Sequence, residues 1–434
     1  MNLINRTVST DVLVVGAGPV GLLSALILSR KGLSVHVIDE AWRATARSYA
    51  AALHQSTLRM LAGLGIEFDG LEGVHRIERV GLYDNKGKRA EIDLSKLDSS
   101  EPSLVIVPQN RLEARLEEEL RKAGVTIHWS HRFARLSTGE QSTEVEVDVL
   151  ERTSSGYAYA TTTVEIARSY DVIARYVVGA DGHSSVVRRQ LGIKQRATAP
   201  AAEFDVFEFQ SSEGVSKGPG RDEVCVLLDE KTTNVLWSLP SGRQRWSFQV
   251  EAPESAHRDR VKSRLMLAVP GEATASTSRE VLLEYIKARA PWSEVELGDI
   301  AWAGDVRFEP HLVDHMGRGN VWLVGDSVHQ TGPVGVQSMN AGLAEAQSLC
   351  DVIEARIRPG KGQTSIHVPT FDEYQSACLS EWKRLLGISP WLDVTEDCDP
   401  WVRPLLPRLL SCVPATGRDL EQLLGQIGIA RAVP

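Results

Sequence analysis

Cysteine is scarce and unpatterned in this chain of 434 residues: Cys225, Cys350, Cys378, Cys398 and Cys412 are odd in number, scattered and free of CxxC spacing. Neither a disulfide framework nor a zinc site follows from such a set, so no metal is expected and a reducing cytoplasm is the natural compartment. Blocks of lysine or arginine are also missing, and 48 basic against 57 acidic residues leave a net charge of −9. This argues against nucleic acid or an anionic membrane as the main partner, and the acidity is ordinary for solubility. The polar opening MNLINRTVST and the interruption of the next apolar stretch by Gly16 and Gly18 predict neither a signal peptide nor a membrane span. Internal repeats, low-complexity segments, HExxH and GxSxG are all absent. What is present, 42% hydrophobic and 24% charged residues, describes a soluble globular protein of two or three domains.

The first informative stretch is DVLVVGAGPVGLLSALILSRKGLSVHVID, Asp11 to Asp39. It reads as a buried strand, a glycine turn, a helix ending at Gly32 and a second strand. Gly16-x-Gly18-Pro19-x-Gly21 follows the strand directly. Gly16 permits the tight turn, Gly18 lets the backbone approach a pyrophosphate, and Gly21 lets helix and strand pack closely. Asp39 ends the second strand where an acid can bond adenosine ribose hydroxyls, with Glu40 beside it as the lesser candidate. In the following loop Arg47 is either a phosphate-pairing fork of donors or a solvated charge. Gln109 precedes an amphipathic helix with Leu112, Leu116 and Leu120 on one face, and its position could meet a nucleotide.

The chain is organised around VWLVGDSVHQTGPVGVQSMNA, Val321 to Ala341. A strand runs into Gly325-Asp326, then a loop with Gly332, Pro333 and Gly335, then a helix from about Ser338. The arrangement places one carboxylate and several free backbone N–H groups around a polyhydroxylated, electron-rich ligand. Between these two stretches, Val125 to Val178 reads as a β-meander of short segments (VTIHW, TEVEVDVL, TTTVEI, RYVVGA) that ends in Gly179-Ala180-Asp181-Gly182. Arg76 to Leu94 reads as a hairpin, and Phe204 to Val250 as a second sheet that could roof a ligand, with Trp237, Trp246 and Phe248 available to line an aromatic-binding face. A helix is predicted over Ser278 to Ala290, and a strand over Ile300 to Phe308 leading back toward Val321.

GAGPVG at 16–21, GADG at 179–182 and GDSVHQTGPVGVQSMN at 325–340, in that order and spacing, resemble the group A flavoprotein monooxygenases, single-component aromatic hydroxylases of the para-hydroxybenzoate hydroxylase type. The resemblance covers roughly 11–350 and implies an α/β fold: a Rossmann-like FAD-binding domain (1–74, 104–182 and 300–350), an inserted β-sheet substrate domain (75–103 and 183–299) and a C-terminal helical extension (351–434). It implies that Gly16, Gly18, Gly21 and Asp39 hold the ADP half of FAD, that Arg47 and Gln109 also contact it, and that Asp181 sits near pyrophosphate and reductant. Gly325-Asp326 would bind the ribityl chain, with Asp326 weightier for affinity than Asp39. Pro333 and Gly335 would lie against the isoalloxazine edge, Pro333 also facing substrate, and Met339 and Asn340 would offer main-chain bonds to the ring. One departure is Ser338, where the family commonly has glycine. The C-terminus is expected to be too short for a thioredoxin-like domain.

The implied activity uses NADH or NADPH as a transient reductant, since no second GxGxxG exists, and O2 to hydroxylate or epoxidise an aromatic, polyketide-like or other electron-rich small molecule through a flavin C4a-hydroperoxide. A dry cavity would protect that species. The catalytic acid and base are not identified. Two alternatives share the front half. Flavin-dependent halogenases and isoprenoid reductases have a related fold, but the halogenase Trp-x-Trp-x-Ile-Pro signature is missing, VLWSLP being the nearest approach. The other alternative is a non-catalytic flavin-binding protein.

Overall fold

Val12 to Val15 are four consecutive buried aliphatics, the pattern of a strand covered on both faces, and they form the centre of a parallel sheet. In the computed structural model, which describes residues 7–43, 50–68, 73–97, 104–154, 162–211, 219–250, 278–294, 297–359 and 369–432, strand Thr7–Val15 pairs in parallel with Val35–Asp39 on one side and Thr162–Gly179 on the other. Ile127–Trp129 extends the sheet beyond Val35–Asp39, and Val321–Leu323 extends it beyond Thr162–Gly179. All five strands run the same way, so Val15, Asp39, Gly179 and Leu323 finish on one edge of the sheet. In open α/β sheets the carboxyl ends of the strands are where ligands bind. Helix Pro19–Arg30 packs against the sheet, and helix Gln109–Lys122 packs against Pro19–Arg30. Helix Gln109–Lys122 buries Leu112, Leu116 and Leu120 completely, roughly 1.5–3 kcal/mol each.

The expected meander over Val125 to Val178 differs in two respects. VTIHW supplies the parallel strand Ile127–Trp129 of the first sheet and pairs with Val35–Asp39, outside the antiparallel ribbon. TTTVEI and RYVVGA belong to a single strand, Thr162–Gly179, whose first part pairs antiparallel with Thr143–Ser154 and whose last part enters the parallel sheet. Val164 and Ile166 are more than half exposed while Val177 and Val178 are fully buried. The pattern changes because the strand passes from a solvated ribbon into the core, and that change mimics a chain break.

The second sheet has seven strands, in the order Leu297–Phe308, Ala202–Ser211, Arg243–Val250, Thr233–Ser238, Glu223–Leu228, Arg79–Asp84 and Gly87–Asp93. The strand anticipated over Ile300 to Phe308 is therefore an edge of this sheet, hydrogen-bonded to Ala202–Ser211, rather than a limb returning to Val321. Alternation gives the sheet two faces. Tyr83, Phe207, Phe209, Cys225, Leu236, Trp246 and Phe248 point to one and are covered by helix Arg279–Arg289, which Ser278 caps through the Val281 N–H. Phe204, Val206, Val224, Val226, Val235 and Trp237 point to the other, where they share a core with Val334, Ala341, Leu409 and Val413.

Helix Gln337–Ile357 lies against Pro19–Arg30 and the Gly325–Ser327 turn. Helix Phe371–Leu385 follows, started by a capping box between Thr370 and Glu373. Short helices Leu406–Leu409 and Gly417–Gly425 and a two-stranded ribbon, Leu392–Val394 with Ile429–Arg431, complete the chain's described end.

Candidate cofactor site

The glycines of the first motif have separate jobs. Gly16 has φ +105°, and a Cβ on it would fall 2.2 Å from the Ala180 carbonyl oxygen. A Cβ on Gly21 would fall 2.0 Å from the Gly16 carbonyl oxygen. Both positions exclude a side chain by backbone contact. Gly18 is the opposite case: nothing lies within 4 Å of its hypothetical Cβ. It is the N-cap of helix Pro19–Arg30, and no side chain caps that end. The helix therefore presents its first-turn amides and positive dipole end to open space, an anion site in physical terms. Pro19 occupies the first turn, where its missing N–H costs nothing.

Asp39 is held to this loop. Its Oδ2 accepts from the Ala17 N–H at 2.6 Å and its Oδ1 from the Ala41 N–H at 2.8 Å. Burial raises its pKa above the ordinary carboxylate value, opposed by those two bonds. Glu40 is exposed, and Arg47 lies outside the described residues. Gln109 begins helix Gln109–Lys122 and its Nε2 donates to Glu113 Oε1 at 2.8 Å. Glu113 is buried, which lifts its pKa to about 7, and it is near enough to Asp39 to feel its charge.

The other two motifs arrive at the same edge. The Ala180 N–H donates to the Val15 carbonyl at 2.8 Å. Asp181 accepts the Val186 and Val187 N–H groups on Oδ2, at 2.7 and 3.0 Å, while its Oδ1 is buried without a partner. Ser327 Oγ donates to the Gly179 carbonyl at 2.8 Å, and Arg188 Nη1 donates to the Ser327 carbonyl at 2.8 Å. Gly325, at φ +65°, packs so closely on Val20 and Gly342 that a Cβ on Gly342 would lie 3.0 Å from Gly325 Cα. Segments some 150 residues apart in the chain thus form one surface.

Asp326 stands on that surface with no hydrogen bond to any described residue. It is accessible, yet surrounding protein desolvates it enough to raise its pKa, opposed by His329 and His183 and reinforced by Glu345. Behind it is a buried group that sequence reasoning missed. Glu345 Oε2 accepts from the Gly325 N–H (3.1 Å) and from His329 Nε2 (3.0 Å), and its Oε1 accepts from Trp382 Nε1 (2.6 Å). The His329 ring stacks on Trp382 with centroids 3.8 Å apart. The available signal was an acid inside an otherwise small and apolar helical stretch, AGLAEAQSLC.

The turn before helix Gln337–Ile357 is also fixed from several sides. Ser338 Oγ accepts the Thr331 N–H at 3.1 Å, so the residue that departs from the family pattern closes the loop with its hydroxyl. Val336, the helix N-cap, has φ +51°. A β-branched residue there costs on the order of 1–3 kcal/mol and persists only where its surroundings enforce it. Asn340 uses its side chain on the protein: Oδ1 accepts the His54 N–H at 2.9 Å, and Nδ2 donates to the Ala52 and Val336 carbonyls at 2.8 and 2.9 Å. His54 Nε2 donates to the Gly335 carbonyl at 3.0 Å, and burial lowers this imidazole's pKa to about 4, so it is neutral. Pro333 and Met339 are half-buried in this turn and helix start.

Of the three aromatic residues considered for substrate, Trp237 alone faces this turn. Trp246 and Phe248 stack on each other at 4.9 Å beneath Tyr285 of helix Arg279–Arg289, on the far face of the second sheet. Strand alternation decides this: Trp237 lies opposite Arg245, so the adjacent Trp246 points the other way.

Uncapped helix amides, the open space at Gly18 and an accessible carboxylate without a protein partner suit a ligand with a pyrophosphate and a chain of hydroxyls, as FAD has. Comparisons with known proteins agree. A family model described as FAD binding domain matches residues 9–385. Pentachlorophenol 4-monooxygenase of Sphingobium chlorophenolicum is 24% identical over 80% of this chain and 59% of its own length. Para-nitrophenol 4-monooxygenase of Pseudomonas sp. (strain WBC-3) is 24% identical over 84% of this chain and 81% of its own. The crystal structure of a p-nitrophenol 4-monooxygenase from Pseudomonas putida DLL-E4 superposes with a TM-score of 0.70 at 21% identity, covering 99% of this chain and 100% of that one. The chain spans about three fifths of the length of several other curated relatives it matches.

Proposed function

The chain belongs to the FAD-binding-domain family, of the group A flavoprotein type with FAD as cofactor; from that premise we propose that it is a monooxygenase using NAD(P)H and O2 to insert one oxygen atom into an aromatic or other electron-rich small molecule. The observation that carries this reading is the convergence of the motifs at Gly16, Gly179 and Gly325 on one sheet edge, with Asp326 exposed beside them. The reaction balances as substrate plus O2, NAD(P)H and a proton giving hydroxylated substrate, water and NAD(P)+. Bound FAD supplies the electron transfer and oxygen activation.

This chain's own residues bind, orient and shield. The Gly18 and first-turn amides receive the pyrophosphate, Asp39 keeps their loop in shape, and Asp326 accepts from ribityl hydroxyls. The ring end then lies toward Pro333 and Gly335, beneath the Trp237 face of the second sheet, where apolar side chains keep water away. Arg47, within 44–49, is proposed as a further cofactor contact. Phenols are the substrates that the names of two relatives state, and 6-methylpretetramide that of another; we place this chain's substrate among such phenolic and polyketide-like rings, and the enzyme in the cytoplasm. No helix among the described residues is long and apolar enough to cross a membrane.

The test is an oxygen-uptake screen of phenols, indoles and polyketide-like aromatics with isotopically labelled O2. A product heavier by one labelled oxygen, independent of chloride or bromide, is expected. Halide-dependent product, or NAD(P)H consumption that no substrate stimulates, would overturn the reading.

A further inference from the structure

The strained turn Pro333–Val336 has anchors of two kinds. Ser338, Asn340 and His54 hold it from within the span that matches the FAD-binding family. The remaining anchors come from beyond residue 385, where that match ends. Gln337 is 1% exposed and its Nε2 donates to the Val413 carbonyl at 2.5 Å. Gly335 lies so close to Ser411 that a Cβ on it would fall 2.4 Å from the Ser411 carbonyl oxygen. The same C-terminal stretch grips the second sheet. Arg408 donates from Nη1 to the Asp229 carbonyl at 2.6 Å, from Nε and Nη2 to Thr233 Oγ1 at 3.1 and 2.9 Å, and from Nη2 to the Thr232 carbonyl. Ser411 Oγ donates back to the Arg408 carbonyl at 3.0 Å, joining the two grips within four residues. The stretch is a strut between the turn Asp229–Thr233 of the substrate-side sheet and the turn that leads into helix Gln337–Ile357.

We propose that Arg408 and Gln337 are positioning residues for the flavin: through this strut they fix how far the turn Pro333–Val336 stands from the second sheet, and so where the ring end of the cofactor comes to rest. The inference rests on the reading that the ring lies at this turn. A guanidinium suits the task because its planar fork reaches a carbonyl and a hydroxyl at once, which a lysine cannot copy. Gln337 is the matching latch, since its buried amide has one partner outside its own helix and its Oε1 has none. The adenosine end and Asp326 lie on other elements, so the strut should govern seating of the ring and leave affinity for the dinucleotide largely alone.

The test uses the full chain reconstituted with FAD, as parent, Gln337→Leu, Arg408→Met and Arg408→Lys. FAD dissociation constants, thermal midpoints, the vibronic resolution of the visible flavin band and iodide quenching of flavin fluorescence are compared. Gln337→Leu and Arg408→Met are expected to keep FAD affinity within about threefold of the parent, because the substituted side chains hydrogen-bond Val413, Asp229, Thr232 and Thr233 and neither Gly18 nor the Asp326 loop. Their flavin bands should lose resolution, and the quenching constant should rise on the order of twofold or more as the ring becomes looser and wetter. Arg408→Lys should fall between Arg408→Met and the parent. Variants that melt earlier yet keep the parent's flavin spectrum and quenching would overturn the proposal and leave the strut a scaffold. A colourless parent that takes up no FAD would overturn it along with the cofactor reading, and is told apart because the parent itself fails.

Discussion

Glu345 joins three donors that no other group could satisfy together: the Gly325 N–H, His329 Nε2 and Trp382 Nε1. A glutamine there presents an NH2 group to at least one of those donors, and each buried orphan costs roughly 1–3 kcal/mol. Because Gly325 precedes Asp326, Glu345→Gln should weaken FAD binding about tenfold or more, measured by equilibrium titration; an unchanged dissociation constant would show that the Asp326 loop holds itself. The two aspartates separate differently than their sequence positions suggest. Asp326 has no protein partner among the described residues, whereas Asp39 holds two backbone amides. Asp326→Ala should therefore lower FAD affinity with apo-protein stability within about 0.5 kcal/mol of the parent. Asp39→Ala should destabilise the apo-protein by about 1–3 kcal/mol. Denaturant unfolding without FAD decides, and equal stability losses would contradict the assignment. His54 adds a pH dependence. Its folded pKa, about 4, lies below the unfolded value near 6.5, so the unfolded chain takes up a proton first and stability falls as pH drops from about 6.5 toward 4. Between pH 7 and pH 5 the parent should lose roughly 2 kcal/mol more than His54→Gln. Parallel pH profiles would refute it. Gly16 and Gly21 were legible because their roles follow from local backbone geometry. Glu345 and His54 were not, since their partners lie in segments whose approach only the tertiary fold creates.

At the scale of elements, what was legible is what repeats locally. Period-two alternation gave the four strands from Ala202 to Val250, and a leucine at every fourth position gave helix Gln109–Lys122. Misread elements were those whose environment changes along their length or depends on a distant partner. Thr162–Gly179 crosses from solvent into the core, and Leu297–Phe308 has its partner strand about a hundred residues earlier. Trp246 and Phe248 were plausible as aromatics on a roofing sheet, but which face of a sheet meets a ligand is set by which side the helix Arg279–Arg289 covers. The glycine loop offers a sharp contrast at this scale. Gly21→Ala forces a carbon within 2.0 Å of the Gly16 carbonyl oxygen and should disrupt the first strand and helix, seen as lost soluble yield or a lowered melting temperature. Gly18→Ala meets no protein atom within 4 Å at an ordinary extended φ of −74°, so the apo-protein should melt as the parent does. Its methyl group occupies the space left for the pyrophosphate, and FAD affinity should fall by about tenfold or more. A Gly18→Ala protein that binds FAD like the parent would remove that loop from the cofactor site.

For the whole molecule, the parallel sheet, the second sheet and the C-terminal stretch meet around the turn Pro333–Val336. Each motif is individually modest: a turn, a helix end, one acid. Their meaning comes from the parallel order of five strands, which brings Gly16, Asp39, Asp181 and Asp326 to a common edge although they span more than 300 residues of chain. Such an edge fits a long ligand with an adenosine end, a pyrophosphate and a polyol. A ligand without the adenosine end, such as FMN, would offer the Gly18 amides one phosphate in place of two and leave the Asp39 loop unused. The most direct measurement is an equilibrium titration of the apo-chain with FAD and, separately, with FMN. We expect one FAD per chain, with FMN bound at least about a hundredfold more weakly, since a second phosphate at the helix N-terminus and an adenosine end beside the Asp39 loop would together contribute a few kcal/mol. FMN binding as tightly as FAD, or a chain that takes up neither, would contradict it.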